Sequence, residues 1–143
     1  MSTQKITITQ ITITRTDERR LSKLLNDQVT QAIGSQTNLQ DMGHELERAI
    51  IVESDEVPAD IVTMNSTIRL RDCATGEIET FTLVYPNDAN IAQNKLSILA
   101  PIGTAILGQK QGDEVRWRVP GGSRCFHIEE VVYQPEREGA LHL

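Results

Sequence analysis

The stretch LAPIGTAILGQKQGDEVRWRVPGG, Leu99 to Gly122, decides the fold because its pattern changes period twice. Pro101 suits the first turn of a helix, and Ile, Leu and Ala follow it at the spacing of a short buried helix that Gly108 ends. The segment QKQGDE then reads as a turn and EVRWRV as a strand. In that alternation Trp117 faces inward while Arg116 and Arg118 face out. The glycine pair after Pro120 invites comparison with a phosphate loop, which needs backbone N–H groups aimed at an anion, usually at a helix N-terminus. Gly121 and Gly122 lie instead between two strands, EVRWRV and CFHIEEVVYQ, so Pro120, Gly121 and Gly122 read as a structural hairpin turn.

Working outward, VTMNSTIRLRD, CATGE and EIETFTLVYP form a strand, a turn with Gly76 suited to positive φ, and a returning strand. NDANIAQNK is a polar loop, long enough to be a candidate working surface. LSIL is a short strand. Together these predict an antiparallel sheet curled against one short helix.

Upstream, KITITQITIT alternates Ile and Thr with a change of parity at Thr9–Gln10, the mark of a break or bulge. A helix capped by Thr16 follows, with an apolar stripe from Leu21 to Ile33 and a stop at Gly34. Thr37 and Gln40 have capping-box spacing for a second helix, whose apolar seam runs Leu39, Met42, Leu46, Ala49, Ile50. Two such helices make an antiparallel hairpin, a short coiled coil reaching about 22 Å. The tip is Gly34, Ser35, Gln36, Thr37 and Asn38. An acidic linker, ESDEVPAD, follows, and the chain divides into residues 1–55, strand plus helical hairpin, and residues 56–143, the sheet domain.

Twenty Asp and Glu against fourteen Lys and Arg give a net charge of −6 over 143 residues. An acidic surface argues against direct, sequence-specific nucleic-acid binding and against anionic membranes, and it suits a protein partner with a basic face. No apolar run approaches the roughly 20 residues that span a bilayer. The N-terminus lacks the features of a signal peptide, so a cytoplasmic setting with Cys73 and Cys125 as reduced thiols is expected. Cys125 and His127 share a strand face, but no CxxC or second His spacing supports zinc, so no metal and no cofactor are expected.

The residues now carry a resemblance. Pro101, Ile102, Ala105 to Gly108, Gly112, Asp113, Val115 and Pro120 to Gly122 resemble the C-terminal pattern of the Gre transcript-cleavage factors, with Ala100 in place of the usual serine. VTMNS (Val62 to Ser66), LVYP (Leu83 to Pro86), the stretch Leu96 to Gly108 and YQPE (Tyr133 to Glu136) resemble a branch of the Gre relatives, the nucleoside diphosphate kinase regulator (Rnk) family, over nearly the whole chain. The resemblance implies an FKBP-like C-terminal domain behind a short N-terminal coiled coil, in all an α+β chain. It also implies a non-enzymatic transcription regulator that docks on RNA polymerase at the secondary channel.

Gre factors place acidic residues at the coiled-coil tip to help hold a metal ion in the polymerase, so that backtracked RNA is cleaved; hard cations need such oxygen ligands. Here the tip has no carboxylate. Asp27 lies about two turns back and Asp41 nearly a turn beyond. The expectation is therefore a monomer that competes with Gre factors without stimulating cleavage. By the same resemblance, Leu99, Ala100, Pro101 and Ile102 are the candidate polymerase-docking residues. Two other readings stand beside this one. Regulation of nucleoside diphosphate kinase, direct or indirect, is the first, although no P-loop is present. Prolyl isomerisation is the second: an FKBP-like fold raises it, and Phe81, Tyr85, Trp117, Phe126 and Tyr133 are the available aromatics, but a fold alone confers no activity.

Overall fold

The longest strand, β8 (Gly122–Tyr133), organises the molecule, with β7 (Glu114–Val119) antiparallel on one side and β4 (Thr67–Asp72) antiparallel on the other. β5 (Ile78–Val84) returns beside β4 through a turn in which Gly76 has φ +76°, and β6 (Lys95–Ser97) closes that edge. At the opposite edge, the two-residue strand β1 (Gln4–Lys5) pairs with β7. The order is β1-β7-β8-β4-β5-β6. The computed structural model describes residues 4–5, 10–27, 30 and 36–139, of which 4, 5, 36–38, 118 and 119 are described by their backbone alone.

The sheet is not purely antiparallel. β5 and β6 run parallel, with Thr82 beside Lys95 and Val84 beside Ser97. The polar loop that joins them folds into two 3-10 turns, Pro86–Asp88 and Ile91–Gln93, and carries the chain back only as far as Thr82, so that β6 runs alongside the last residues of β5 in the same direction.

The N-terminal region also departs from the expected free-standing helical hairpin. β2 (Thr12–Thr14) and β3 (Ile50–Val52) form a second, parallel sheet, and the helices α1 (Arg15–Leu25) and α2 (Gln36–Arg48) lie in the connection between them. Ile50, read above as the end of a helical seam, is in β3: its N–H donates to the Ile11 carbonyl at 2.8 Å. Ile11, Ile13, Leu21 and Met42 belong to the same buried cluster as Val62, Met64 and Ile106. The expected α+β arrangement, an N-terminal coiled-coil hairpin followed by an FKBP-like antiparallel sheet, is therefore corrected. The described residues form three helices, a mixed six-stranded sheet and a parallel two-stranded sheet around a shared core. The physical reason is that Ile13 on β2, and Ile11 just before it, are buried with their backbone paired to β3, and a parallel pair needs a long crossover connection, which here holds both helices.

Three local expectations move as well. Thr14, not Thr16, caps α1, its Oγ1 accepting from the Asp17 N–H at 3.1 Å. VTMNS is a buried turn, with Asn65 at φ +67°, and the strand begins only at Thr67. Cys73 and Cys125 are not free thiols: they are joined as a disulfide, Cα to Cα 5.5 Å. Their separation of 52 residues conceals a cross-strand pairing, because Cys73 continues β4 past Asp72, the partner of Phe126.

Candidate functional site

The helix α3 (Pro101–Ile106) begins in the stretch that opened the sequence reading, with Ala100 at its N-cap and Pro101 in the first turn. Gly103 to Ile106 are buried, whereas Pro101 is exposed and Ile102 partly so. Six residues make a helix about 9 Å long, and seven-residue β5 runs about 24 Å. The helix therefore covers only part of the sheet face.

The uncovered part is an open cleft of about 460 Å³. Strand alternation aims Leu70, Phe81, Trp117 and Phe126 into it, and Pro101 and Ile102 form its helical wall. The Trp117 and Phe126 rings stack with centroids 5.7 Å apart. Past these the same face turns polar, with Asp72, Glu77, Glu79 and Arg124 at the rim. Arg124 lies 5.2 Å over the Phe126 ring and 3.3 Å from Asp72. Asp72 accepts backbone N–H groups from Ala74 and Thr75, and these bonds with Arg124 hold its carboxyl below the usual carboxylate range. Three carboxylates against one guanidinium give the rim an acidic excess over an apolar floor.

Of the residues singled out from the sequence, Pro101 and Ile102 line this cleft, and Leu99 and Ala100 lead into it half-buried. Pro120 and Gly121 lie in the turn from β7 to β8, where Val119 pairs with Gly122. Gln36, Thr37 and Asn38 form the first turn of α2, and Gly34 and Ser35 lie outside the described residues. Asp27 accepts the Thr30 N–H at 3.1 Å. Sequence reasoning did not bring Phe81, Trp117 and Phe126 together. The signal was present, since Trp117 and Phe126 occupy inward positions of adjacent strands, but it becomes readable only with the register of β7 on β8.

A second grouping went unread altogether. Asp17 is buried, and its carboxylate accepts the Met64 N–H at 3.0 Å. Burial, with Glu136 nearby, raises its pKa to about 7 against the lowering effects of the Met64 bond and Arg20. Burial and the Asp17 charge likewise push the Tyr85 hydroxyl well above its usual range. Thr63 donates to Glu136 at 2.7 Å, and Gln134 donates to the carbonyls of Pro58 and Ile61. VTMNS, LVYP and YQPE, scattered along the chain from Val62 to Glu136, thus meet at one buried polar junction with helix α1.

The model of the transcription elongation factor GreA/GreB C-terminal region matches residues 57–133. The chain belongs to the GreA/GreB family. Within that family it is similar to the "Regulator of nucleoside diphosphate kinase" of Escherichia coli K12, 43% identical over 97 residues that span 66% of this chain and 71% of that protein. It is also similar to the transcription elongation factor GreA of Syntrophus aciditrophicus, 31% identical over 97 residues, 68% of this chain and 60% of that factor. Among solved structures, a prokaryotic transcription elongation factor GreA/GreB from Nitrosomonas europaea superposes with a TM-score of 0.70 at 42% identity, covering 87% of this chain and 99% of that one. That coverage takes in more than the matched C-terminal region, so the arrangement described above is GreA/GreB-like as a whole. The place of this chain is that of a transcription-factor-like or Rnk-type regulator. Among the described residues no helix is long and apolar enough to cross a membrane.

Proposed function

We propose that the protein is an RNA-polymerase-binding regulator that docks at the secondary channel and competes with Gre factors without stimulating transcript cleavage. The observation that supports this reading most is the open apolar cleft beside Pro101 and Ile102, in the region that matches the GreA/GreB C-terminal model. Its acidic rim favours a basic protein surface over nucleic acid. The sequence from Gly34 to Asn38 has no carboxylate, the oxygen donor that a hard catalytic cation needs, and Asp27 accepts the Thr30 N–H.

The test is an equilibrium competition for core RNA polymerase against a labelled Gre factor, with backtracked complexes assayed in parallel. The protein displaces the Gre factor and leaves RNA cleavage at the rate of polymerase alone. No displacement at saturating protein overturns the reading and makes direct binding to nucleoside diphosphate kinase the one to pursue.

A second measurement locates the binding energy. Interfaces concentrate it in a few desolvated apolar anchors, each worth about 2 kcal/mol or more on truncation. The double variant Pro101→Ala/Ile102→Ala weakens polymerase affinity more than Ser35→Ala/Gln36→Ala. Ile102 also packs against the core, so thermal melts accompany the titration. A folded Pro101/Ile102 variant that binds normally, beside a Ser35/Gln36 variant that fails, assigns docking to the helical region instead.

A further inference from the structure

We propose that Cys73, Cys125 and Glu114 form a binding site for a zinc-class divalent cation, available when the Cys73–Cys125 disulfide is reduced. The two sulfurs and a Glu114 carboxylate oxygen all lie within 4.8 Å of one another. They converge from β7, β8 and the turn that follows β4, on the sheet face opposite the cleft. Trp117 and Phe126 point into the cleft, so by alternation Glu114 and Cys125 point outward. The β7–β8 register sets Arg116 against Cys125 and Glu114 against His127, and the Cys73 N–H donates to the Cys125 carbonyl at 3.1 Å. Backbone pairing, rather than the sulfur–sulfur bond, therefore holds the three donors together, and they stay in place when that bond opens.

The donor chemistry selects the ion. Thiolates favour zinc-class ions over magnesium and calcium, and a carboxylate oxygen is an ordinary third ligand, with water completing a tetrahedron. Ligand atoms around a tetrahedral zinc are roughly 3.8 Å apart, so small side-chain rotations close the site from its present spacing. Cys73 and Glu114 are exposed and Cys125 half-buried, so both a reductant and an ion reach the site without unfolding.

A phosphine or dithiol reductant supplies two electrons, the sulfur–sulfur bond breaks, and each sulfur takes up one proton. The divalent ion then displaces both thiol protons to solvent as it binds the two thiolates. The same sulfurs serve both states, so disulfide and metal are mutually exclusive, and neither depends on polymerase docking.

The experiment reduces the full chain with a phosphine and titrates it with Co2+ as a spectroscopic substitute for Zn2+. The reduced chain takes up one equivalent, with a thiolate-to-cobalt charge-transfer band that Zn2+ removes and Mg2+ does not. Cys73→Ser abolishes the band, and Glu114→Gln weakens binding by more than about tenfold, the lower end of what losing even an outer partner does at metal sites. In the wild-type chain, where no folding question arises, stoichiometric Zn2+ protects both cysteines from iodoacetamide. No band in the reduced chain, an equal band in the oxidised chain or in Cys73→Ser, unchanged affinity in Glu114→Gln, or alkylation at the same rate with Zn2+ present overturns the site.

Discussion

Alanine at Gly43 stabilises the protein, and alanine at Gly103 destabilises it, although both glycines sit in helices. Gly43 is in α2, where an added Cβ meets nothing within 4 Å, so the substitution gains the helix propensity that glycine lacks, about 1 kcal/mol. Gly103 is in α3, and its Cβ would overlap the Ser97 carbonyl oxygen, with Ser97 C at 3.1 Å and Ile98 Cα at 3.2 Å. Those are backbone atoms at the end of β6, so relief requires moving the helix off the strand. Overpacking of this kind costs roughly 1–3 kcal/mol or more, and it more than reverses the propensity gain. Gly108→Ala is as severe for two reasons. Its φ is +75°, where an L side chain costs about 1–2 kcal/mol, and its Cβ would lie 2.6 Å from the Ile11 Cβ. Gly108 also ties two segments, its carbonyl accepting from Thr12 and its N–H donating to Val62. Urea melts followed by the fluorescence of Trp117, the single tryptophan, measure all three. A Gly103→Ala chain as stable as Gly43→Ala would show that α3 does not pack on β6 as described.

These contacts also explain what the sequence could and could not reveal. The period-2 runs and Gly76 made β4 and β5 legible as a hairpin, and Pro101 and Gly108 bracketed α3. Such signals are local: a turn residue, a cap, an alternation. The parity change read at Thr9–Gln10 falls partly outside the described residues, since Thr9 is not among them; β1 stands in the large sheet and β2 in the small one. Parallel pairing carries no comparable mark, because nothing in IIV at Ile50–Val52 distinguishes the end of a helical seam from a strand that needs β2 beside it. The error over the N-terminal hairpin and that over the β5–β6 edge have this one cause. The disulfide and the three aromatics of the cleft failed to appear for a related reason, since each depends on register between strands far apart in sequence. The family resemblance supplied candidate docking residues but not the cleft, which exists because α3 is shorter than the strands it covers.

Asp17→Asn removes a pH dependence that no reading of the sequence would assign to that residue. Asp17 lies in the first turn of α1, where a carboxylate ordinarily gains from the helix dipole. The fold buries it instead under Met64 and close to Glu136, and desolvation raises its pKa to about 7 from an unperturbed value of 3.8. The neutral acid is therefore the form the fold prefers. Below the unfolded-state value both states hold the proton, and the stability that goes with the neutral form is fully present. As pH rises from about 4 to about 7 the unfolded chain has released a proton that the folded chain keeps, so stability falls across this window and levels off above it. At about 1.4 kcal/mol per pH unit, a shift of this size corresponds to a loss on the order of 4 kcal/mol. Asparagine keeps an oxygen to accept the Met64 N–H and carries no charge, and its sacrifice of the dipole interaction, roughly 0.3–1 kcal/mol, is the smaller effect. The variant is thus more stable than the wild type at pH 8 and nearly equal to it at pH 4, with the difference growing between. Urea midpoints across that range decide the matter. A variant that is less stable at pH 8, or that retains the wild-type slope, would mean that Asp17 is ionised in the fold and held by Arg20, and that the junction of VTMNS, LVYP and YQPE is an ion-pair network rather than a protonated hydrogen-bonding centre.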